Sequence, residues 1–311
     1  MVSPAPEDFH TVIRLLAALL VASTAFGTLA ADKPARSRAA NAAVLAPAID
    51  KNGDPILQSS GVLVLDANTG ATIYSKNADH QAPIASITKL MTAMVVLDAK
   101  LPLEEVVQLT SEDLDLIKNT KSRLPIGAHF RRDDLLRLAL MASDNRAASA
   151  LGRNYPGGIL AFVDAMNAKA KALGLSATHY VDSSGLAPGN VSSAQDLGKL
   201  VNEASKYELI REYTTTAAVT VQLPEARKPL TFVNTNALVR KSDWQIGLSK
   251  TGYINESGKC LVMQAMIANQ PIVIVLLDSW GRLTRVGDAI RIRKWLEKNP
   301  SKLVSAALPN G

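Results

Sequence analysis

Residues 83–94 read PIASITKLMTAM and place Ser86 three residues before Lys89, at the front of an apolar run with helical spacing. A helix advances about 1.5 Å per residue with about 3.6 residues per turn, so the two side chains share a face. One reading is a serine that caps its helix. The other is a nucleophile with an amine base, which requires the lysine pKa to fall from ~10.4 to about 7–8. That is roughly 4 kcal/mol against the charged form, and it calls for burial and a second cation nearby. Lys250, in LSKTGY, is the candidate for that cation. Lys250-Thr251-Gly252 falls on an expected strand, where a lysine is ordinarily a solvated edge residue and a glycine can admit a ligand's backbone. MASDNRAA supplies Ser143-Asp144-Asn145 between two helical runs, where the bland reading is again a cap. A second Ser-x-Asn, Ser75-Lys76-Asn77, precedes Ser86.

These groups need elements to hold them. GVLVLDANTGATIYSKN (61–77) patterns as a β-hairpin around a turn-forming DANTG. A helix is expected from Ser86 to about Ala99, and another opens at Asp133 and Asp134. Further helices are expected over GGILAFVDAMNAKAKALG and over 193–206. After residue 214, TTTAAVTVQL, WQIGLSKTGY, CLVMQAMIAN and PIVIVLLDSW read as strands, the last two joined by an Asn-Gln turn, and TRVGDAIRIRKWLEK as a closing amphipathic helix. Strands at both ends with helices between imply an α+β fold. One antiparallel sheet is built from the two chain ends, flanked by helices, with a helical lobe and a cleft between.

The 311 residues fit one large domain, and the net charge of +6 is mild. No basic run interleaved with aromatics suggests a nucleic-acid surface. The single cysteine, Cys260, excludes an intrachain disulfide and a cysteine zinc cluster, and sits in an apolar stretch as a buried residue. No His-Glu-x-x-His is present among His10, His80, His129 and His179, so no metal site or cofactor is expected, and His179-x-x-Asp182 reads as structural. Residues 1–31 read as a secretory signal, with an apolar part short of the roughly 20 residues a spanning helix needs. The expected organisation is a signal at 1–31, a flexible linker at 32–56, one domain at 57–299 and a tail at 300–311.

Ser-x-x-Lys, Ser-Asp-Asn and Lys-Thr-Gly in that order form the set of the penicillin-recognising enzymes. With YPGG, AMNAKAKALG and GKCLVM, the chain resembles the low-molecular-mass penicillin-binding proteins, and among them the periplasmic D-alanyl-D-alanine endopeptidases, from about residue 57 to 299. The resemblance implies a β-lactamase/DD-peptidase-like fold and a periplasmic hydrolase. Its substrates would be peptidoglycan peptide stems, and β-lactams its covalent inhibitors. It implies Ser86 as the acylated nucleophile, Lys89 as its base and Ser143 as a proton relay to the leaving amine. Asn145 would hold the substrate amide, and Lys250 and Thr251 its free carboxylate. The oxyanion would sit between the N–H groups of Ser86 and of Tyr253, the residue after Gly252. Ser-Asp-Asn departs from the Ser-Glu-Asn of the endopeptidases at a position expected to matter for structure.

Other chemistries fit poorly. There is no Gly-x-Ser-x-Gly elbow, and no Glu-x-x-Leu-Asn of the kind that deacylates class A β-lactamases. A carboxypeptidase and a non-hydrolytic penicillin sensor stand as alternatives. The short segment after the last helix offers neither a second β-domain nor an amphipathic anchor, which favours an endopeptidase free in the periplasm.

Overall fold

The computed structural model describes residues 49–222, 229–281 and 283–307. The expected signal, residues 32–48 of the linker and residues 308–311 of the tail lie outside them. The chain runs β1 (Ser59–Asp66), β2 (Thr72–Lys76), β3 (Ala82–Pro83), a 3₁₀ turn (Ala85–Thr88) and α1 (Lys89–Asp98). Next come β4 (Val106–Gln108), a 3₁₀ turn (Ser111–Asp113), β5 (His129–Arg131), α2 (Arg132–Met141), α3 (Asn145–Arg153) and α4 (Gly158–Ala172). β6 (Val191–Ser192), α5 (Ala194–Ala204), α6 (Glu208–Thr215), β7 (Ala218–Val221) and β8 (Leu230–Val233) precede β9 (Ile246–Ile254), β10 (Gly258–Ile267) and β11 (Gln270–Ser279). Two helices, α7 (Thr284–Lys298) and α8 (Pro300–Ala307), close the described chain.

The central antiparallel sheet has the order β2-β1-β11-β10-β9, so the first strands pair with the last, as the patterning implies. Leu63 sits opposite Val275, and Val262 opposite Lys250. Its inner strands are continuous apolar runs because both faces are covered. Leu63, Leu65, Val273 and Val275 face the helical lobe, with Met91 and Met94 of α1, Phe162 of α4 and Leu197 of α5. Val62, Val64, Ile272 and Ile274 face the other way, onto Ile292, Trp295 and Leu296 of α7. α1 is buried from Lys89 through Val96, as its all-round apolar sequence requires. Its one charged residue in that stretch is therefore buried as well.

Buried Asp288 of α7 ties the chain ends together, accepting from Ser59 N at 2.8 Å and Ser59 Oγ at 2.6 Å. Two boundaries differ from expectation. Residues 49–56 fold against α7, where Trp295 Nε1 donates to Gly53 O at 2.8 Å. The expected tail begins as α8, with Pro300 at its first position and Leu303 buried. In TTTAAVTVQL the threonines end α6 instead of opening a strand. The hydroxyls of Thr215 and Thr216 donate back to the carbonyls of Arg211 and Glu212, an alternative that β-branched spacing does not reveal. The strand that follows pairs with β8 in a separate ribbon.

Candidate active site

Ser86 is not a cap. It lies in the 3₁₀ turn ahead of α1, and no side-chain cap bond is made at the start of either element. The preceding residue, Ala85, is fully buried with φ of +48°, a left-handed conformation that costs a non-glycine residue energy and is held by what surrounds it. Gly185 passes so close that a Cβ there would meet Ala85 O at 2.0 Å. At Gly252 of β9, a Cβ would meet Ile84 O at 2.8 Å and Ser86 N at 3.3 Å. Glycine at 252 therefore admits the chain's own backbone, where the sequence suggested a ligand's. This clamp fixes the serine against the open edge of β9, the outermost strand.

Lys89 Nζ lies 2.9 Å from Ser86 Oγ, 2.7 Å from Asn145 Oδ1 and 2.6 Å from Ser184 O. An ammonium has three hydrogens, and all three have acceptors. Two of these acceptors are carbonyl oxygens and cannot donate. When the amine is neutral, its lone pair is therefore directed at Ser86 Oγ. Burial lowers the Lys89 pKa to about 8 against the opposing pull of Asp182, Asp144 and Asp115.

Ser143 sits between α2 and α3 with φ of +59°. Asp144 caps α3, accepting from Ala147 N at 3.0 Å and from Ser122 Oγ at 2.7 Å, so the departure at this position is a structural matter. Asn145 Nδ2 donates to Thr120 Oγ1 at 3.0 Å, which turns its carbonyl toward Lys89. Lys250 is buried, not a solvated edge residue, and its Nζ donates to Ser143 Oγ at 2.8 Å and Thr251 O at 3.0 Å. Burial above all, then the charges of Lys89 and Arg285, hold it well below the usual lysine range. Thr251 Oγ1 donates to Thr235 Oγ1 at 2.7 Å. Tyr253 is 54% exposed, its ring under Lys259 Nζ at 3.9 Å. Ser86, Lys89 and Asn145 thus form one hydrogen-bonded group and Ser143 and Lys250 a second, with Thr251 beside the latter. A cavity of about 210 Å³ opens beside Ser143, Asn145 and Thr120.

Several supports were not legible. Asp182 accepts from Ser184 N at 2.6 Å, Gly185 N at 2.6 Å and Ala187 N at 2.8 Å, which shapes the loop that presents Ser184 O to Lys89. Asp182 is structural, as the sequence implies, and through this loop it also bears on the site. Arg285 of α7 donates to Gly252 O at 2.7 Å and Cys260 O at 3.1 Å, propping β9 from below. Cys260 is buried as expected, and burial raises its thiol to about 11. Among the described residues, no cluster of histidine, cysteine or carboxylate side chains suits a metal ion.

A serine hydroxyl, a buried lysine that bonds it and a second buried lysine are the groups a serine acyl transfer would use. Burial alone lowers the Lys89 pKa, and Lys250, expected as the cation that would lower it, is itself lowered by burial and then by Lys89. Residues 49–280 match the family model of peptidase S11, D-alanyl-D-alanine carboxypeptidase. The chain belongs to that family and is a serine DD-peptidase. It is 47% identical to the D-alanyl-D-alanine endopeptidase of Pseudomonas aeruginosa over 85% of this chain and 86% of that one. It is 44% identical to that of Escherichia coli over 81% and 82%. The crystal structure of the Streptomyces K15 DD-transpeptidase superposes with a TM-score of 0.72 at 29% identity, covering 78% of this chain and 97% of the other.

Proposed function

We propose that this DD-peptidase is an endopeptidase that hydrolyses the D-alanyl–diaminopimelate cross-links of peptidoglycan through an acyl-enzyme on Ser86. The observation that carries the chemistry is the environment of Lys89, whose neutral amine has Ser86 Oγ as the only partner able to donate a proton. With a pKa of about 8, roughly one molecule in ten holds that amine neutral at pH 7. Lys89 takes the hydroxyl proton as Ser86 attacks the D-alanyl carbonyl, and the oxyanion is received by the N–H groups of Ser86 and Tyr253. Ser143 passes a proton to the leaving amine, and Asn145 holds the substrate's amide. Water then releases the acyl group.

The carboxylate beyond the scissile bond is assigned to Lys250 and Thr251. In a cross-link it belongs to the D-centre of diaminopimelate, and in a pentapeptide to terminal D-alanine. The names of the two relatives, over most of their lengths, support the cross-link as substrate. The same reading includes export through the segment 1–31 and work in the periplasm, with β-lactams as covalent inhibitors.

Digestion of purified muropeptides tests it. Dimers should fall to monomers, and Lys250→Ala should slow that cleavage. Pentapeptides trimmed to tetrapeptides beside intact dimers would make the enzyme a carboxypeptidase. Penicillin labelling with no turnover of either would make it a sensor.

A further inference from the structure

Lys118 and Glu256 form an ion pair that joins the loop before β5 to the β9–β10 turn. Lys118 belongs to the loop between the 3₁₀ turn Ser111–Asp113 and β5. That loop is anchored to the site: Asp115 accepts from Lys118 N at 2.9 Å and from Thr120 Oγ1 at 2.6 Å, and Thr120 Oγ1 accepts from Asn145. Glu256 lies in the β9–β10 turn, three residues beyond Tyr253. The two side chains are 26% and 39% exposed, and a pair this open contributes little to a fold, so it separates at small cost.

The path of the substrate follows from the proposed function, on which this inference rests. Its carboxylate lies at Lys250 and Thr251, and its scissile carbonyl at the N–H of Tyr253. The acyl side therefore continues along β9 from Tyr253 toward Glu256. β9 ends at Ile254 and Glu256 stands in the turn just beyond it, so the residue before the D-alanine runs past the strand's end and carries its side chain toward that turn. In the proposed substrate that residue is diaminopimelate. In the donor stem its side chain ends in an ammonium and a carboxylate on one carbon.

We propose that Lys118 and Glu256 are the specificity determinants for that end: they release each other and take its carboxylate and its ammonium respectively. One ion pair is exchanged for two, so a side chain bearing both charges is favoured over one bearing either alone. Lys259, over the Tyr253 ring, adds positive charge beside the path.

The test uses the full mature enzyme and cross-linked substrates that share one acceptor. Their donor stems carry meso-diaminopimelate, its amide, or its N-acetyl derivative at the third position. Each kcat/KM is referred to the penicillin acylation rate of the same variant. Wild type should prefer the free residue over both blocked forms by about tenfold, the effect of a charge-assisted bond. Lys118→Met should erase the discrimination against the amide alone, and Glu256→Gln the discrimination against the acetylated form alone. A common factor on all three substrates in either variant would make the pair a plain latch and overturn the assignment. Should wild type leave every cross-link intact, the endopeptidase reading fails. The same three stems ending in D-alanyl-D-alanine then carry the comparison, and uniform rates among them would overturn the subsite itself.

Discussion

Lys89 lowers the proton affinity of Lys250. Lys89, on the first turn of α1, holds Ser86, while Lys250, on β9, holds Ser143, and the charge of Lys89 disfavours that of Lys250. Burial is the largest cause in both, and the lobe that buries α1 on every side is what places a lysine there at all. The fold thus supplies the condition that the Ser-x-x-Lys spacing requires and cannot itself provide.

The first consequence is a pH profile. The reactive form of Lys89 is neutral, so penicillin acylation should rise with pH through a midpoint of about 8 and level off roughly a unit higher. Stopped-flow acylation rates would show this as a single inflection. Lys89→Arg keeps the charge but stays protonated, and should abolish the rise along with most of the rate. An unchanged profile in that variant would make Lys89 structural only.

Stability should rise with pH as well, through the same group. A lysine whose folded pKa lies below its unfolded one releases a proton on folding. It costs the folded state about 3 kcal/mol at pH 7, and that cost fades as pH rises from about 8 toward 10.5. Relative to Lys89→Met, the wild-type denaturation midpoint should therefore climb between about pH 7.5 and about pH 9.5. Parallel curves would refute a depressed pKa.

Asp182 should act on the reaction without touching it. Asp182→Ala strands the N–H groups of Ser184, Gly185 and Ala187 and frees the carbonyl that orients Lys89. Loss of about 1–3 kcal/mol of stability and at least about tenfold in acylation is expected, read by denaturant titration and labelling rate. Asp182→Asn, which keeps an acceptor, should recover much of both.

The parts of this site that were legible are those where a side chain does the work. Ser86, Lys89, Asn145 and Lys250 stand in motifs whose order is informative, and the short apolar runs of β1 and β11 at the two ends of the chain imply a sheet closed by both. What stayed hidden works through the main chain or through contacts far apart in sequence. Ser184 contributes a carbonyl that any residue possesses. Thr120 and Arg285 reach the site only once the chain has folded. The two-residue strands β3 and β6 are too short to show a period, and the single buried leucine of α8 makes no helical pattern.

The most direct measurement of the central claim is the position of the covalent adduct. Enzyme treated with benzylpenicillin, digested and mapped by mass spectrometry should carry one penicilloyl group, on Ser86. Ser86→Ala should carry none and lose turnover by a factor on the order of 10⁶. An adduct on Ser143 or any other serine, or labelling that survives in Ser86→Ala, would contradict the account.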